Sequence, residues 1–279
     1  MKYAVSNWIY GEESIEKTFE RLKKFGYDGI EIKGEPESYD IKELKDLMLS
    51  YGIEAASICG MWPWDPSDHM KTRDLANPSG RVRDKAIRYA ESALEFGNKL
   101  GAKVLVCVVG GCGKTKKIHE KEWQYAVETV KGLSKKAVDT GVTIAIEPIN
   151  RYELYLMNNV NDGLKFVEEV NREGVKLMLD TFHMNIEEAN PATSIRIAGK
   201  QLVHLHVGDS NRQSVGRGHT DFKEIIRSLK EINFQGYLAM EPLPPTAADV
   251  YDLSQLDPAI FDLYAEECIT QLKYFGKVT

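Results

Sequence analysis

Four short apolar runs end on residues able to bind a cation or move a proton. VTIAIEPINRYE (142–153) sets Glu147 directly after five mostly β-branched apolar residues. KLMLDTFH (176–183) leads to Asp180, LVHLHVGD (202–209) to His206, and YLAMEP (237–242) to Glu241. A single acid at the end of a strand commonly caps the next helix or pairs with a lysine. Four such positions, each one structural unit from the next, point instead to a shared site. Carboxylates a few ångströms apart cannot all stay ionised without a counter-charge, and a divalent cation supplies one. Three carboxylates and an imidazole suit Mn²⁺ or Co²⁺, with Mg²⁺ also possible, better than the sulfur-rich set of structural zinc.

The elements that must position these residues follow a repeating phrase: a helical segment, a glycine, then a short apolar run. It occurs at 25–32, 51–58, 100–108, 140–148, 172–180 and 234–242, with a variant at 198–209 and an opening run at 2–9. That makes eight expected strands. Segments 14–25, 40–51, 81–100, 118–140, 160–171 and 221–232 carry apolar residues at helical spacing. A glycine after each helix suits a left-handed cap. Nearly continuous apolar strands belong to parallel sheets covered on both faces. Eight of them alternating with helices predict an α/β fold, a closed (β/α)₈ TIM barrel spanning 1–279 as one domain. A doubly wound open sheet is the alternative, but it would use fewer strands and a glycine-rich first turn.

In a barrel the chemistry sits where strands end and βα loops begin, so Glu147, Asp180, His206 and Glu241 should share one rim. His204 and His206, two apart on one strand, face the same side; only His206 reaches the rim, and His204 reads as a hydrogen-bonded core histidine. His183 lies just past Asp180 near the rim. His69, His119 and His219 fall in polar loops or helix starts and receive no role.

The chain is 43% apolar and 28% charged with a net charge of −6, ample for a large core and without the basic stripe that nucleic acid demands. No window approaches a membrane span, and the first residues lack a signal peptide's apolar segment. Cys59, Cys107, Cys112 and Cys268 show no framework spacing, which fits a reducing, cytoplasmic setting. GGCGKT (110–115) is similar to the tail of a phosphate-binding loop, but Val108 stands where that motif needs glycine.

IEPINRYE (146–153), VKLMLDTFHMNIEE (175–188), HLHVGDSNR (204–212) and GYLAMEP (236–242) together resemble the ketose 3-epimerases, the D-tagatose and D-psicose (allulose) 3-epimerase family of the xylose-isomerase-like barrels. The likeness is strongest over 140–245, and VGRGHTDFKEI (215–225) echoes that superfamily's loop after strand seven. It implies that Glu147, Asp180, His206 and Glu241 bind a divalent metal. Glu147 and Glu241 would also form the acid/base pair, and Glu153, His183 and Arg212 would hold the sugar. The implied reaction interconverts free ketoses at C3 through a cis-enediolate, with the two carboxylates exchanging roles as base and acid. The resemblance also implies a homodimer or homotetramer.

By residue type alone, Arg212 could instead form a surface salt bridge and Glu153 a helix-start acid. Another sugar isomerase of the superfamily is the nearer alternative: an aldose–ketose isomerase, an inosose-processing enzyme, or one acting on an oxidised glycoside. An endonuclease-IV-like phosphodiesterase would need more histidines and a basic face. The loops 59–80, with Trp62 and Trp64, and 243–256 are long enough to serve as lids. The loop after strand four, VVGGCGKTKKIH, departs from the family's aromatic-containing pattern.

Overall fold

The computed structural model describes residues 1–62, 73–111, 113–245 and 257–279. Strands β1 (Lys2–Ser6), β2 (Gly29–Lys33), β3 (Glu54–Gly60), β4 (Val104–Cys107), β5 (Thr143–Ile146), β6 (Val175–Asp180), β7 (Leu202–Val207) and β8 (Tyr237–Met240) pair in parallel in chain order. The β1–β8 ladder, Lys2 opposite Tyr237 to Val5 opposite Met240, closes the barrel. The helices are α1 (Ile15–Phe25), α2 (Ile41–Tyr51), α3 (Gly80–Leu100), α4 (Glu122–Thr140), α5 (Val160–Val170), α6 (Thr181–Glu187), α7 (Pro191–Ala198), α8 (Phe222–Glu231) and α9 (Ala259–Val278). Among the described residues no helix is long and apolar enough to cross a membrane.

The helices form where the sequence supplies both a stripe and two ends. In α1 the Ser14 side chain accepts the Lys17 N–H, Glu16 lies in the first turn and Lys23 and Lys24 in the last, each matched to the helix dipole. Phe19 and Leu22 give the buried face. The chain then reverses through a left-handed residue: Gly52 after α2 has φ 66° and Gly141 after α4 has φ 67°, a region closed to most side chains. After α5 an asparagine, Asn171, takes that role at φ 43°.

Five of the six expected helical segments match within one residue at each end, and α4 starts at Glu122 rather than 118. Between β6 and β7 the structure adds α6 and α7, which helical spacing did not reveal. A seven-residue helix cut off before Pro191 is too short to display a period.

Side chains alternate between two environments along every strand. Ile30, Ile32, Leu105, Ile144, Leu177, Leu205 and Leu238 face the helices, where Phe19, Phe96, Phe166 and Phe222 are fully buried. Each such phenylalanine contributes roughly 1.5–3 kcal/mol of transfer free energy. The barrel interior is smaller in bulk: Ala4, Ala56 and Ala239 form one cluster and Val104, Val106, Ala145 and Met178 another. Alanine where barrels usually place branched residues leaves room for a buried polar layer of Ser6, Glu31, Ser57 and His204. Two register shifts aim that layer. One, beside Ile30 and Glu31, sets Glu31 opposite Ser57; the other, beside Leu177 and Met178, sets Asp180 opposite His206.

Candidate functional site

The four rim residues are held by ladder geometry. The Glu147 N–H donates to the Cys107 carbonyl at 3.1 Å and the Glu241 N–H to the Val207 carbonyl at 2.9 Å, one rung beyond β5 and β8. Asp180 is both the last residue of β6 and the cap of α6, its Oδ1 accepting the Phe182 N–H at 2.8 Å. His206 lies on β7, and none of the four is more than 5% exposed.

His206 is the centre of the group. Its Nδ1 is 3.1 Å from Glu241 Oε2 and 3.4 Å from Glu147 Oε1. That nitrogen is buried yet meets no hydrogen-bond geometry. Ligand atoms of Glu147, Asp180 and His206 all lie within 4.8 Å of one another. A bare ring nitrogen aimed among hard carboxylate oxygens is the donor set that a divalent cation needs, so the residues fit such an ion.

The charges are strongly coupled. Burial pushes the Glu147 carboxyl above its ordinary range, and His206 only partly offsets it. Burial would also lower the His206 imidazole, but Glu241, Glu31 and Glu147 outweigh it and raise it well above the ordinary histidine value. For Asp180 burial is overcome by the Arg212 charge, aided by His183 and His206, which holds it well below the usual carboxylate range.

Arg212 is not on the surface. Its guanidinium donates to Asp180 Oδ2 at 2.5 Å and to Glu241 Oε2 at 2.8 Å, and its charge sits 5.0 Å from the Phe182 ring centre. Part of the counter-charge sought by the carboxylates is thus an arginine. Its backbone adopts φ 61°, unusual for a side-chain-bearing residue. The surrounding loop enforces it: Asp209, 1% exposed, accepts N–H groups of Ser210 and Thr220 on Oδ1 and of Gly216 on Oδ2. The Arg212 carbonyl in turn accepts the Leu243 N–H at 2.7 Å.

Glu153 and His183 join the same place through a residue that the sequence reading passed over. The Asn150 side-chain nitrogen donates to Glu153 Oε1 at 2.7 Å and lies 2.8 Å from His183 Nδ1. Glu147, Glu153, His183, His206, Arg212 and Glu241 line one cavity of about 250 Å³. Asp180 reaches it through Arg212. The cavity's other walls are largely apolar, with Trp8, Trp62, Val106, Val108, Phe182 and Leu243 among them.

His204 sits below, fully buried, with Nε2 3.0 Å from Glu31. His119 and His219 are exposed and lie outside the cavity lining. Trp64, His69, Cys112 and nearly all of 243–256 lie outside the described residues. In GGCGKT, Lys114 is an internal ion-pair partner, its Nζ 2.9 Å from Glu122 and 3.4 Å from Asp74. Two further contacts had no role in the sequence reading: the Trp8 indole N–H donates to Glu241 Oε1 at 2.5 Å, and Glu31 lies 3.1 Å from His206 Nε2.

The family model for xylose isomerase-like TIM barrels matches residues 19–255. D-psicose 3-epimerase of Ruminiclostridium cellulolyticum is 34% identical over 87% of this chain and 84% of its own length. The chain belongs to the ketose 3-epimerase family of xylose isomerase-like TIM barrels. That is a family of carbohydrate epimerases, isomerases by reaction class. A crystal structure of D-psicose 3-epimerase with D-tagatose from Clostridium cellulolyticum superposes with a TM-score of 0.86 at 31% identity, covering 99% of both chains. The 3-dehydro-D-guloside 4-epimerase of Escherichia coli is more distant, 26% identical over 86% of this chain and 92% of that one.

Proposed function

We propose that the protein is a metal-dependent epimerase of free ketoses at C3, with the site at the C-terminal ends of the strands in a single domain of residues 1–279. The observation that carries this is the placing of Glu147 and Glu241, from strands three apart, around one nitrogen of His206 and on one cavity. C3 inversion breaks the C3–H bond on one face of the sugar and forms a new one on the other. One carboxylate takes the proton, the electron pair moves into the C2 carbonyl, and the other carboxylate returns a proton from the opposite side. General acid/base transfer of this kind contributes about 10²–10⁴-fold. The raised Glu147 carboxyl suits that exchange, since its proton affinity is drawn nearer neutral pH.

Glu153, His183 and Arg212 hold the sugar's oxygens in this reading, Arg212 through a planar fork of donors. Asn150 keeps Glu153 and His183 in register, and Trp8 fixes the rotamer of Glu241. A divalent cation held by Glu147, Asp180, His206 and Glu241, preferably Mn²⁺ or Co²⁺ and otherwise Mg²⁺, would supply positive charge beside the carbonyl as a Lewis acid. Among the described residues the remainder of the cavity lining is largely apolar and adds no second arginine or lysine, which supports a neutral sugar over a phosphorylated one. We also assign a cytoplasmic location, from the free, buried Cys59, Cys107 and Cys268, and a homodimer or homotetramer, from the family resemblance.

Likeness to the E. coli enzyme favours one second reading, proton transfer next to the keto group of an oxidised glycoside. A substrate panel separates the two. Metal-loaded protein should invert C3 of D-psicose, D-tagatose or L-ribulose, lose that activity to a chelator, and regain it with Mn²⁺ or Co²⁺. Turnover of a 3-keto-glycoside with all free ketoses inert would overturn the first reading in favour of the second.

A further inference from the structure

We infer that Glu31, on β2 and outside the cavity lining, is the residue that sets which nitrogen of His206 is offered to the metal; this rests on the metal centre proposed above. Glu31 is fully buried in the barrel, one layer below the rim. Its Oε1 accepts the Ser6 hydroxyl at 2.6 Å and its Oε2 the Ser57 hydroxyl at 2.6 Å. His204 Nε2 lies 3.0 Å from Oε2, and His206 Nε2 lies 3.1 Å from Oε1 and 3.2 Å from Oε2.

Donor counting then fixes the tautomer. An ionised carboxylate only accepts and offers about four lone-pair sites. Ser6, Ser57, His204 and His206 fill them, so each of those groups must present a hydrogen. An imidazole that binds a cation is neutral and carries one ring proton. With that proton on Nε2 toward Glu31, the lone pair stands on Nδ1. Nδ1 is the atom that faces Glu147 and Glu241 and has no hydrogen bond of its own.

The same count excludes a rival use of the cluster. Glu31, His204 and His206 have ligand atoms close enough to hold an ion themselves. Yet the two serines and the two Nε2 atoms together take up all four acceptor sites of the carboxylate, which leaves no free lone pair for a cation there. Glu31 is therefore a positioning residue, acting through His206 across the barrel from β2 to β7.

The test is Mn²⁺ titration of the full chain together with ¹⁵N NMR of the His206 ring in protein loaded with diamagnetic Zn²⁺. In wild type the ring proton should reside on Nε2. Glu31→Gln introduces an amide N–H₂ that can donate to Nε2 and move the proton to Nδ1. Mn²⁺ affinity should then fall by about 10–100-fold, the usual effect of losing such a partner, while His206→Asn abolishes binding in either background. A proton on Nδ1 of wild type overturns the inference without any variant, so the result does not depend on Glu31→Gln folding. Unchanged affinity in folded Glu31→Gln, with His206→Asn inactive in binding, overturns this inference alone. Wild-type affinity in His206→Asn overturns the metal centre and this inference with it.

Discussion

Replacing Trp8 by phenylalanine should slow turnover by about 10- to 150-fold with little change in KM. Trp8 is 6% exposed, and its indole N–H donates to Glu241 Oε1 at 2.5 Å, a hydrogen bond to a carboxylate acceptor. Phenylalanine keeps an aromatic body at the cavity wall while removing the donor and part of the indole's bulk. A hydrogen bond to an ionised group contributes about 1.5–3 kcal/mol, and about 1.4 kcal/mol corresponds to a decade in rate, which gives the stated range. The loss should fall on kcat because the bond orients the carboxylate proposed to transfer the proton, which Arg212 holds from its other oxygen at 2.8 Å. The assay is steady-state conversion of D-psicose by the Mn²⁺-loaded enzyme, with a melting curve to show that the variant is folded. A folded Trp8→Phe protein with unchanged kcat would refute the view that Glu241 needs this donor.

Glu147→Gln and Glu241→Gln should each lose about 10²–10⁴-fold in turnover while calorimetry still detects ketose binding; a wild-type rate in either variant contradicts the acid/base pair. Asp209 links stability to pH. Burial would raise its carboxyl, but N–H groups of Thr220, Gly218, Ser210 and Gly216 outweigh that and lower it. A depressed folded pKa gives stability that is present above the unfolded value and lost as pH falls through the folded one. The stability gap between wild type and Asp209→Asn, roughly 2 kcal/mol at neutral pH, should therefore close below about pH 4. Denaturant titrations showing a pH-independent gap would contradict it. Lys114→Met removes the cation from the buried Glu122 carboxylate and leaves Asp74 with only the Ala76 N–H and the Asn77 amide as donors, and should cost roughly 3–5 kcal/mol. Unaltered stability would show that the pair is not what ties this loop down.

The rim was legible because each of its members ends an apolar run, and a barrel puts the ends of its strands together. That logic needs only strand order. It could not find Glu31, which sits between Ile30 and Ile32 in GIEIK and reads like any outward polar residue of an alternating strand. With Ile30 and Ile32 facing the helices, alternation turns that position inward, and only closure of the barrel brings His206 of β7 to it. Trp8 was hidden for a similar reason: its partner is 233 residues away, joined to it by the β1–β8 seam. Arg212 was found through its motif, but the ion pairs that bury it depend on a positive φ imposed by the Asp209 loop. In GGCGKT, which Val108 already sets apart from a phosphate-binding loop, the charge of Lys114 is taken up by acids from α4 and from the chain before α3. Local pattern fixes elements and their ends; partners across the barrel depend on register, which no short window carries.

Free ketose incubated in D₂O with the Mn²⁺-loaded protein, followed by NMR at each carbon, tests the central claim most directly. Deuterium should enter at C3, in both the starting sugar and its C3 epimer, and nowhere else. Epimer formation with C3 hydrogen fully retained, or label appearing at C1 with aldose as the product, would contradict proton exchange by Glu147 and Glu241 at that carbon.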